Sequence, residues 1–162
     1  MAKAKSASKG RHAVSTKVAS KWFYCDVALW RCGVFLFVGS PEEMHSSLVS
    51  KDGLPAEMGG DEIDYAKSFL EKHHKHTAGD AFGNGDFTFI RLAEMNICCL
   101  QHIAVLSHEC LHAANAILRT VGLMGDDNVE GMAYTQEFIF EAFMKKCMES
   151  VGWAAEKADG RD

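Results

Sequence analysis

Two histidines and a glutamate in the second half of the chain have the spacing of a metal site. His108, Glu109 and His112 occur in the run HECLH, which fits the pattern H-E-x-x-H. If the run is helical, the two imidazoles lie on one face and can bind one zinc ion. Glu109 then lies about 100° away around the helix, where it can act as a general base towards water. The pattern predicts a zinc hydrolase. The alternative is an ordinary helix whose histidines only make hydrogen bonds.

The residues around this run predict the helix that the site needs. A helical wheel with His108 at zero puts His112 at about 40° and Asn115 at about -20°, in one polar stripe. We therefore expect a long helix over about residues 96–121. The opposite side of the wheel, at roughly 160° to 240°, is apolar and belongs in the core. It carries Ile103, Leu106, Cys110, Ala114 and Ile117.

A catalytic zinc site needs a third protein ligand and keeps one position open for water. A last helix is predicted over about residues 128–148, after a Gly-rich turn. Glu130, Tyr134 and Glu137 lie on one of its faces, and Glu141 continues that face. Two helices joined by a short turn would then face each other with their polar stripes and close a site between them.

Glu130 and Glu137 compete for the role of third ligand. A strictly antiparallel pair of helices favours Glu137, whose height along the pair matches that of His112. Glu130 requires the last helix to cross at a steeper angle. Each also has a structural explanation: Glu130 as a first-turn acid after an Asp127 N-cap, Glu137 as a solvated surface acid. The spacing of the residues leaves both open.

The motif followed by an acid on a later helix resembles the zincin superfamily of metallopeptidases, and its gluzincin branch in particular. The gluzincin third ligand is a glutamate on a downstream helix, which implies Glu130 here. The run EGMAY (130–134) is similar to the start of that helix in small zincin-like proteins of phages and bacteria. The resemblance covers roughly residues 86–148. The longer metzincin pattern is absent, because Asn115 and Leu118 stand where it has a glycine and a third histidine.

The resemblance implies a zinc metallopeptidase with a protein or peptide substrate. Zn²⁺ would be bound by His108, His112 and Glu130, and Glu109 would be the general base. Tyr134 would stabilise the oxyanion, with a half-buried aromatic as its alternative reading. The run DFTFIRLA (86–93) would be an edge strand that pairs with an extended substrate, with a plain sheet strand as the alternative. Two other functions stay open: a catalytically silent binding protein with a zincin fold, and a structural zinc site closed by a fourth ligand.

The remaining patterns predict a small α+β domain, with a short sheet and the motif helix packed against the C-terminal helix. The apolar run over 27–40 predicts one or two strands, and Ser40 and Pro41 predict the start of a helix. A second helix is expected over 61–76 and a turn region over 77–86. His73, His74 and His76 fit a polar helix end, with an accessory metal site as the alternative. His102 lies off the metal stripe and is predicted to be structural.

Composition and charge limit the domain organisation and the partners. The chain has 162 residues and a formal net charge of -5, so we expect one domain and no general affinity for nucleic acid. We assign residues 1–21 to a flexible basic tail that can contact nucleic acid or an anionic surface only weakly. The domain covers 22–150, and 151–162 is a polar tail. No long apolar segment predicts a membrane span.

The cysteines indicate a reducing compartment. The chain has six cysteines, no C-x-x-C pair and no recognisable export signal. We therefore expect free thiols and a cytoplasmic protein, in the host cytoplasm if the protein is viral.

Overall fold

The chain forms a mixed α+β fold in which helices cover both faces of a four-stranded sheet. The computed structural model describes residues 15–73, 77–84, 86–123 and 128–153. The predicted fold class is confirmed, as is the long helix that carries HECLH. In chain order the elements are β1 (Lys21–Val27), a short 3-10 helix (Ala28–Trp30), β2 (Cys32–Val38), α1 (Pro41–Ser50), α2 (Gly60–Lys72), β3 (Gly79–Gly83), β4 (Phe87–Leu92), α3 (Leu100–Thr120) and α4 (Val129–Ser150).

The sheet has the strand order β1-β2-β4-β3, and its two central strands are parallel to each other. The outer strands β1 and β3 run antiparallel to their neighbours. All six residues of β4 are buried, and so are six of the seven residues of β2. A strand covered on both faces reads as a continuous apolar run rather than as an alternating one. This explains why the run CGVFLFV is almost wholly hydrophobic.

Two apolar cores lie on opposite faces of the sheet. One core joins the sheet to α3 and α4, with Leu106 and Cys110 from α3 meeting Phe143 and Cys147 from α4. The other is rich in aromatic rings and joins the sheet to α1 and α2. It contains Trp22, Phe35, Phe37, Phe82, Phe87 and Phe89. On its face of the sheet, the motif helix α3 packs against β3 and β4 and against α4, which itself contacts β1.

The helix ends follow from local sequence. The Ser40 hydroxyl accepts a hydrogen bond from the Glu43 amide, and the Glu43 carboxylate accepts one from the Ser40 amide. This reciprocal pair and Pro41 at the first helical position confirm the predicted start of α1. α4 follows Asn128, while the predicted cap Asp127 lies outside the described residues. Within the described ranges, no helix combines the length and the apolar character that a membrane crossing requires.

Two predictions about the strands are wrong. The segment predicted as a turn region contains β3, which pairs with β4 over five residues from Gly79 to Gly83. β4 was predicted to be the edge strand beside the motif helix, but it lies between β2 and β3. The edge strand beside α3 is therefore β3. Its two glycines and Asp80 are residue types that are typical of turns, and for this reason the sequence did not indicate a strand here.

The folded part begins earlier than the predicted domain boundary after residue 21. The Ile97 amide donates to the Thr16 carbonyl at 3.0 Å, and the Val18 amide donates to the Met95 carbonyl at 2.8 Å. The Val18 side chain is buried in the core against the sheet. Residues 1–14 and 154–162, which make up most of the two predicted tails, lie outside the described residues.

The thiols provide a direct check of the packing. Cys98 is exposed, whereas Cys25, Cys110 and Cys147 are buried between the sheet and the last two helices. Burial raises the pKa of Cys25 to about 11 and that of Cys147 to about 12, so both thiols are protonated at pH 8. We expect iodoacetamide to modify Cys98 rapidly in the native protein, and Cys25, Cys110 and Cys147 only after unfolding. Peptide mapping by mass spectrometry measures this, and rapid modification of Cys110 in the native protein would contradict the packing.

Candidate active site

The polar stripe of α3 lines a cleft between that helix and the edge strand β3. His108, His112, Asn115 and Arg119 border this cleft from the helix. β3 and the residue after it form the opposite wall, and Phe69 of α2 closes one side. The cleft has a volume of about 760 Å³ and a mostly polar lining. All three motif residues, His108, Glu109 and His112, border it.

The two motif histidines converge at this cleft. Their Nε2 atoms lie 3.1 Å apart, with the rings perpendicular and their centroids 4.6 Å apart. Both side chains are exposed to solvent. At this distance the two nitrogens can share a hydrogen bond when one of them carries a proton. Two nitrogens bound to one tetrahedral zinc at about 2.05 Å stand roughly 3.3 Å apart, so the same placement fits a shared metal ion.

Glu109 is buried between α3 and the first residue of β3. Its side chain is only 6% exposed, and a Cβ atom on Gly79 would come within 2.8 Å of the Glu109 Cγ. The same Cβ would meet Val105 Cγ1 at 2.8 Å. Glycine at position 79 therefore leaves the room that the glutamate occupies.

The groups around Glu109 shift the pKa of its carboxyl group in both directions. Burial raises the pKa of the carboxyl group above its ordinary value, and the neighbouring Asp80 acts in the same direction. The imidazoles of His108 and His112 and the guanidinium of Arg91 lower that pKa and partly offset the burial. A buried carboxyl group whose pKa is raised in this way is suited to accept a proton.

A buried arginine on β4 fixes the strand that forms the far wall of the cleft. Arg91 is 1% exposed and forms an ion pair with Asp80 on β3, through both its Nε and its Nη2. It also donates to the carbonyl oxygens of Thr77 at 3.1 Å and Gly39 at 3.2 Å. The Thr77 hydroxyl donates a second hydrogen bond to Asp80. These bonds join the start of β3 to β4 and to the end of β2.

The candidate residues on α4 lie elsewhere. Tyr134 is 70% exposed and, with Glu137, lines a separate groove whose other wall is formed by residues 27–30. Glu130 is exposed in the first turn of α4. None of these three residues is among those that line the histidine cleft. Their proposed roles as third ligand and oxyanion stabiliser stay predictions.

The polar stripes of α3 and α4 do not face each other across one site, contrary to expectation. The two helices meet through Ser107 and Gln136, whose side-chain amide donates to the Ser107 carbonyl at 3.0 Å. The His108 side of α3 borders the cleft against β3, whereas the Glu137 side of α4 borders the groove against residues 27–30. Across the four described ranges, no three His, Cys, Asp or Glu side chains form a group that could hold a metal ion.

The other histidines fall where the sequence predicted, as far as they are described. His102 accepts a hydrogen bond from the Asn96 amide at 3.0 Å and lies 3.4 Å from the Glu94 carboxylate, which fits a structural role. His73 ends α2 and stacks on Phe69 at 4.4 Å. His74 and His76 lie outside the described residues.

Sequence reasoning missed the residues that form the far wall of the cleft. Gly79 and Asp80 were assigned to a turn, and Arg91 was assigned only to a strand. One signal was available: Asp80 and Arg91 carry opposite charges and lie directly across from each other in the register of β3 and β4. An alignment of the two segments that places Asp80 opposite Arg91 would have indicated a β-hairpin.

Comparison with known proteins identifies no relative of this chain. The chain matches no protein-family model, no curated protein and no solved structure. The resemblance to gluzincins therefore rests on the runs HECLH and EGMAY alone.

Proposed function

We propose that the protein is a zinc-dependent peptidase whose active site is the cleft between α3 and β3. The observation that carries this proposal is the convergence of the His108 and His112 Nε2 atoms, 3.1 Å apart, beside the buried Glu109. Both histidines are open to the cleft, and Glu109 comes from the next position on the same helix turn. A zinc ion would be held by His108, His112 and one further ligand, for which Glu130 is proposed by resemblance.

Glu109 is the proposed general base. Zinc, when bound at such a site, polarises a carbonyl group and lowers the pKa of water. In the proposed reaction the Glu109 carboxylate accepts a proton from water, and the water oxygen bonds to the carbonyl carbon of the peptide. The bond to nitrogen then breaks, and Glu109 returns the proton to the leaving amine. Its packing against Gly79 and Val105 supports this role because it restricts the orientation of the carboxylate.

The edge strand β3 is the proposed binding surface for the peptide. Among the described residues β3 pairs only with β4, so its outer edge is unpaired and borders the same cleft. An extended peptide can add to such an edge through main-chain hydrogen bonds. This transfers to β3 the role that the resemblance had given to residues 86–93. Free thiols at Cys98 and Cys99 support a reducing compartment, and we propose the cytoplasm.

Hydrolysis of an unstructured protein tests the proposal. The purified full chain is loaded with zinc and incubated with fluorescein-labelled casein, with and without 1,10-phenanthroline. We expect cleavage that stops with the chelator and returns when zinc is added in excess. A His45→Ala variant, altered on α1 away from the cleft, should behave like the wild type. Zinc-loaded protein that cleaves neither casein nor a mixed peptide library would contradict the proposal.

The third ligand can be identified with two matched substitutions on α4. Glu130→Gln should weaken zinc binding at least about 10-fold, because even partners that only orient a ligand contribute that much. Glu137→Gln should leave zinc affinity unchanged, since Glu137 borders the other groove. Among the described residues the Glu130 carboxylate makes no hydrogen bond or ion pair, and because it does not line the histidine cleft, its proposed role as third ligand rests on the resemblance alone. Competition with a fluorescent zinc indicator measures the zinc affinity of both variants. A larger loss of affinity in Glu137→Gln than in Glu130→Gln would exclude Glu130 as the third ligand.

A second function is a zincin-like binding protein that holds an extended segment without cleaving it. The unpaired edge of β3 favours this candidate, because strand addition needs no catalytic group. The two functions differ in their dependence on Glu109. A binding protein keeps its partner when Glu109 is replaced by glutamine, whereas an enzyme loses its activity.

A further inference from the structure

The polar stripe of α3 continues beyond the two histidines to an arginine. Asn115 and Arg119 follow His112 by three and seven residues, and on a helical wheel they fall within about 60° of it. All of them border the same cleft. At a rise of 1.5 Å per residue, Arg119 begins roughly 10 Å beyond His112 along the helix axis. The cleft thus carries a positively charged side chain whose backbone lies roughly 10 Å along α3 from His112, one of the two histidines proposed to bind zinc.

The Arg119 side chain is exposed, and among the described residues it makes no ion pair or hydrogen bond. The acids that share the cleft are engaged elsewhere: Asp80 is paired with Arg91, and Glu109 is packed against Gly79. The helix dipole slightly stabilises a positively charged side chain in the last turn of a helix. That effect explains why an arginine occurs near the end of α3, but it does not explain why the arginine borders the cleft. Arg119 is therefore available to an anion that enters the cleft.

Asn115 adds a second unsatisfied group between His112 and Arg119. Its Oδ1 atom is buried and accepts no hydrogen bond from a described residue. Buried polar atoms usually have a partner, so this oxygen lacks a donor. Asn115 itself borders the cleft between His112 and Arg119, so the polar stripe is continuous from the histidines to the arginine.

We propose that Arg119 selects substrates with a carboxylate two to three residues from the bond that is cleaved. This inference rests on the proposed peptidase function. An extended peptide advances about 3.3 Å per residue, so about 10 Å along α3 corresponds to roughly three residues, and the reach of the arginine side chain allows two. The guanidinium group binds carboxylates through two parallel hydrogen bonds. Both an acidic side chain and the C-terminal carboxylate of a short peptide offer this group.

Peptides with charges at defined positions test the proposal on the zinc-loaded full chain. In one series both ends are blocked, and a single Glu, Gln or Lys is moved along the sequence on each side of the cleaved bond. In a second series the peptides contain no acid and end in a free or an amidated carboxyl group. We expect a kcat/KM about 5- to 10-fold higher for Glu than for Gln at one position two or three residues from the cleaved bond. The second series shows whether a terminal carboxylate replaces the side chain.

Variants of Arg119 make the assignment specific. Arg119→Gln should abolish the preference for Glu, and Arg119→Glu should reverse it in favour of Lys. Arg31→Gln, altered in the turn between β1 and β2, is the matched control and should keep the wild-type preference. A preference for Glu that survives in Arg119→Glu would overturn the inference, as would equal cleavage of all peptides. Either of these results would leave the peptidase function standing.

Binding separates this inference from the function on which it rests. Fluorescence anisotropy with labelled members of the same peptide series measures affinity without cleavage. If no peptide is cleaved but Glu peptides bind more tightly than Lys peptides in an Arg119-dependent way, the carboxylate site stands and the peptidase function falls. If neither cleavage nor binding depends on the charge of the peptide, the carboxylate site is contradicted.

Discussion

Replacement of Glu109 by glutamine is expected to reduce peptide hydrolysis at least about 100-fold, since a positioned general base contributes 10²–10⁴-fold. Glutamine has the size of glutamate, so the packing against Gly79 and Val105 is kept. The variant should retain its zinc because both histidines are unchanged. Its free energy of unfolding should not decrease, because a neutral amide avoids the cost of burying a charge at this 6% exposed position.

The measurement is kcat/KM with a fluorogenic peptide, together with zinc content and a urea unfolding curve. Glu71→Gln, at the exposed end of α2, is a matched control that should retain full activity. Activity within a factor of about three of the wild type would exclude Glu109 as the general base, because that loss is far below the range for such a group. Loss of zinc in Glu109→Gln would make the activity uninformative about the base and would assign Glu109 to the metal site instead.

Arg91→Leu is expected to lower the free energy of unfolding by about 3 kcal/mol or more, the usual cost of breaking a buried ion pair from one side. Arg91 is almost completely buried and bonds to Asp80, Thr77 and Gly39. Leucine would remove the donors to one Asp80 carboxylate oxygen and to two carbonyl oxygens, leaving Asp80 with its hydrogen bond from Thr77 alone. Because β3 is anchored through these bonds, the far wall of the cleft should loosen, and peptidase activity should fall as well.

Urea unfolding followed by circular dichroism measures this loss. Arg119→Leu removes an exposed arginine that makes no hydrogen bond or ion pair with the residues the structure describes, and it should change the free energy of unfolding by less than about 0.5 kcal/mol. The variant Arg91→Leu combined with Asp80→Leu should recover part of the loss, because it also removes the unpaired carboxylate. A loss below about 1 kcal/mol in Arg91→Leu would show that the ion pair does not hold the strand in place.

The sequence predicted those side-chain arrangements that depend only on the spacing of residues within one helix. The four-residue interval between His108 and His112 is sufficient to bring their imidazoles together on any helix, and the structure has them 3.1 Å apart. The start of α1 was predicted for the same reason, since Ser40 and Glu43 satisfy each other within one turn. The burial of Cys110 followed from its position opposite the polar stripe.

The features that depend on packing between elements could not be predicted in this way. The rotation of α4 about its axis depends on its packing against α3, through a shared apolar core and the hydrogen bond from Gln136 to Ser107, and a helical wheel contains neither. It turns Tyr134 and Glu137 away from the histidine cleft. β3 was missed because its strand is held by pairing with β4 and by the ion pair to Arg91, and both contacts are made only in the folded sheet.

The zinc content of the purified protein tests the central claim most directly. Wild type, His112→Ala and His45→Ala are each incubated with zinc, dialysed, and measured by inductively coupled plasma mass spectrometry. The account predicts about one zinc per chain in the wild type and in His45→Ala, and its loss in His112→Ala. Absence of zinc from the wild type after reconstitution, or full retention of zinc in His112→Ala, would contradict the account and leave HECLH as an ordinary face of a helix.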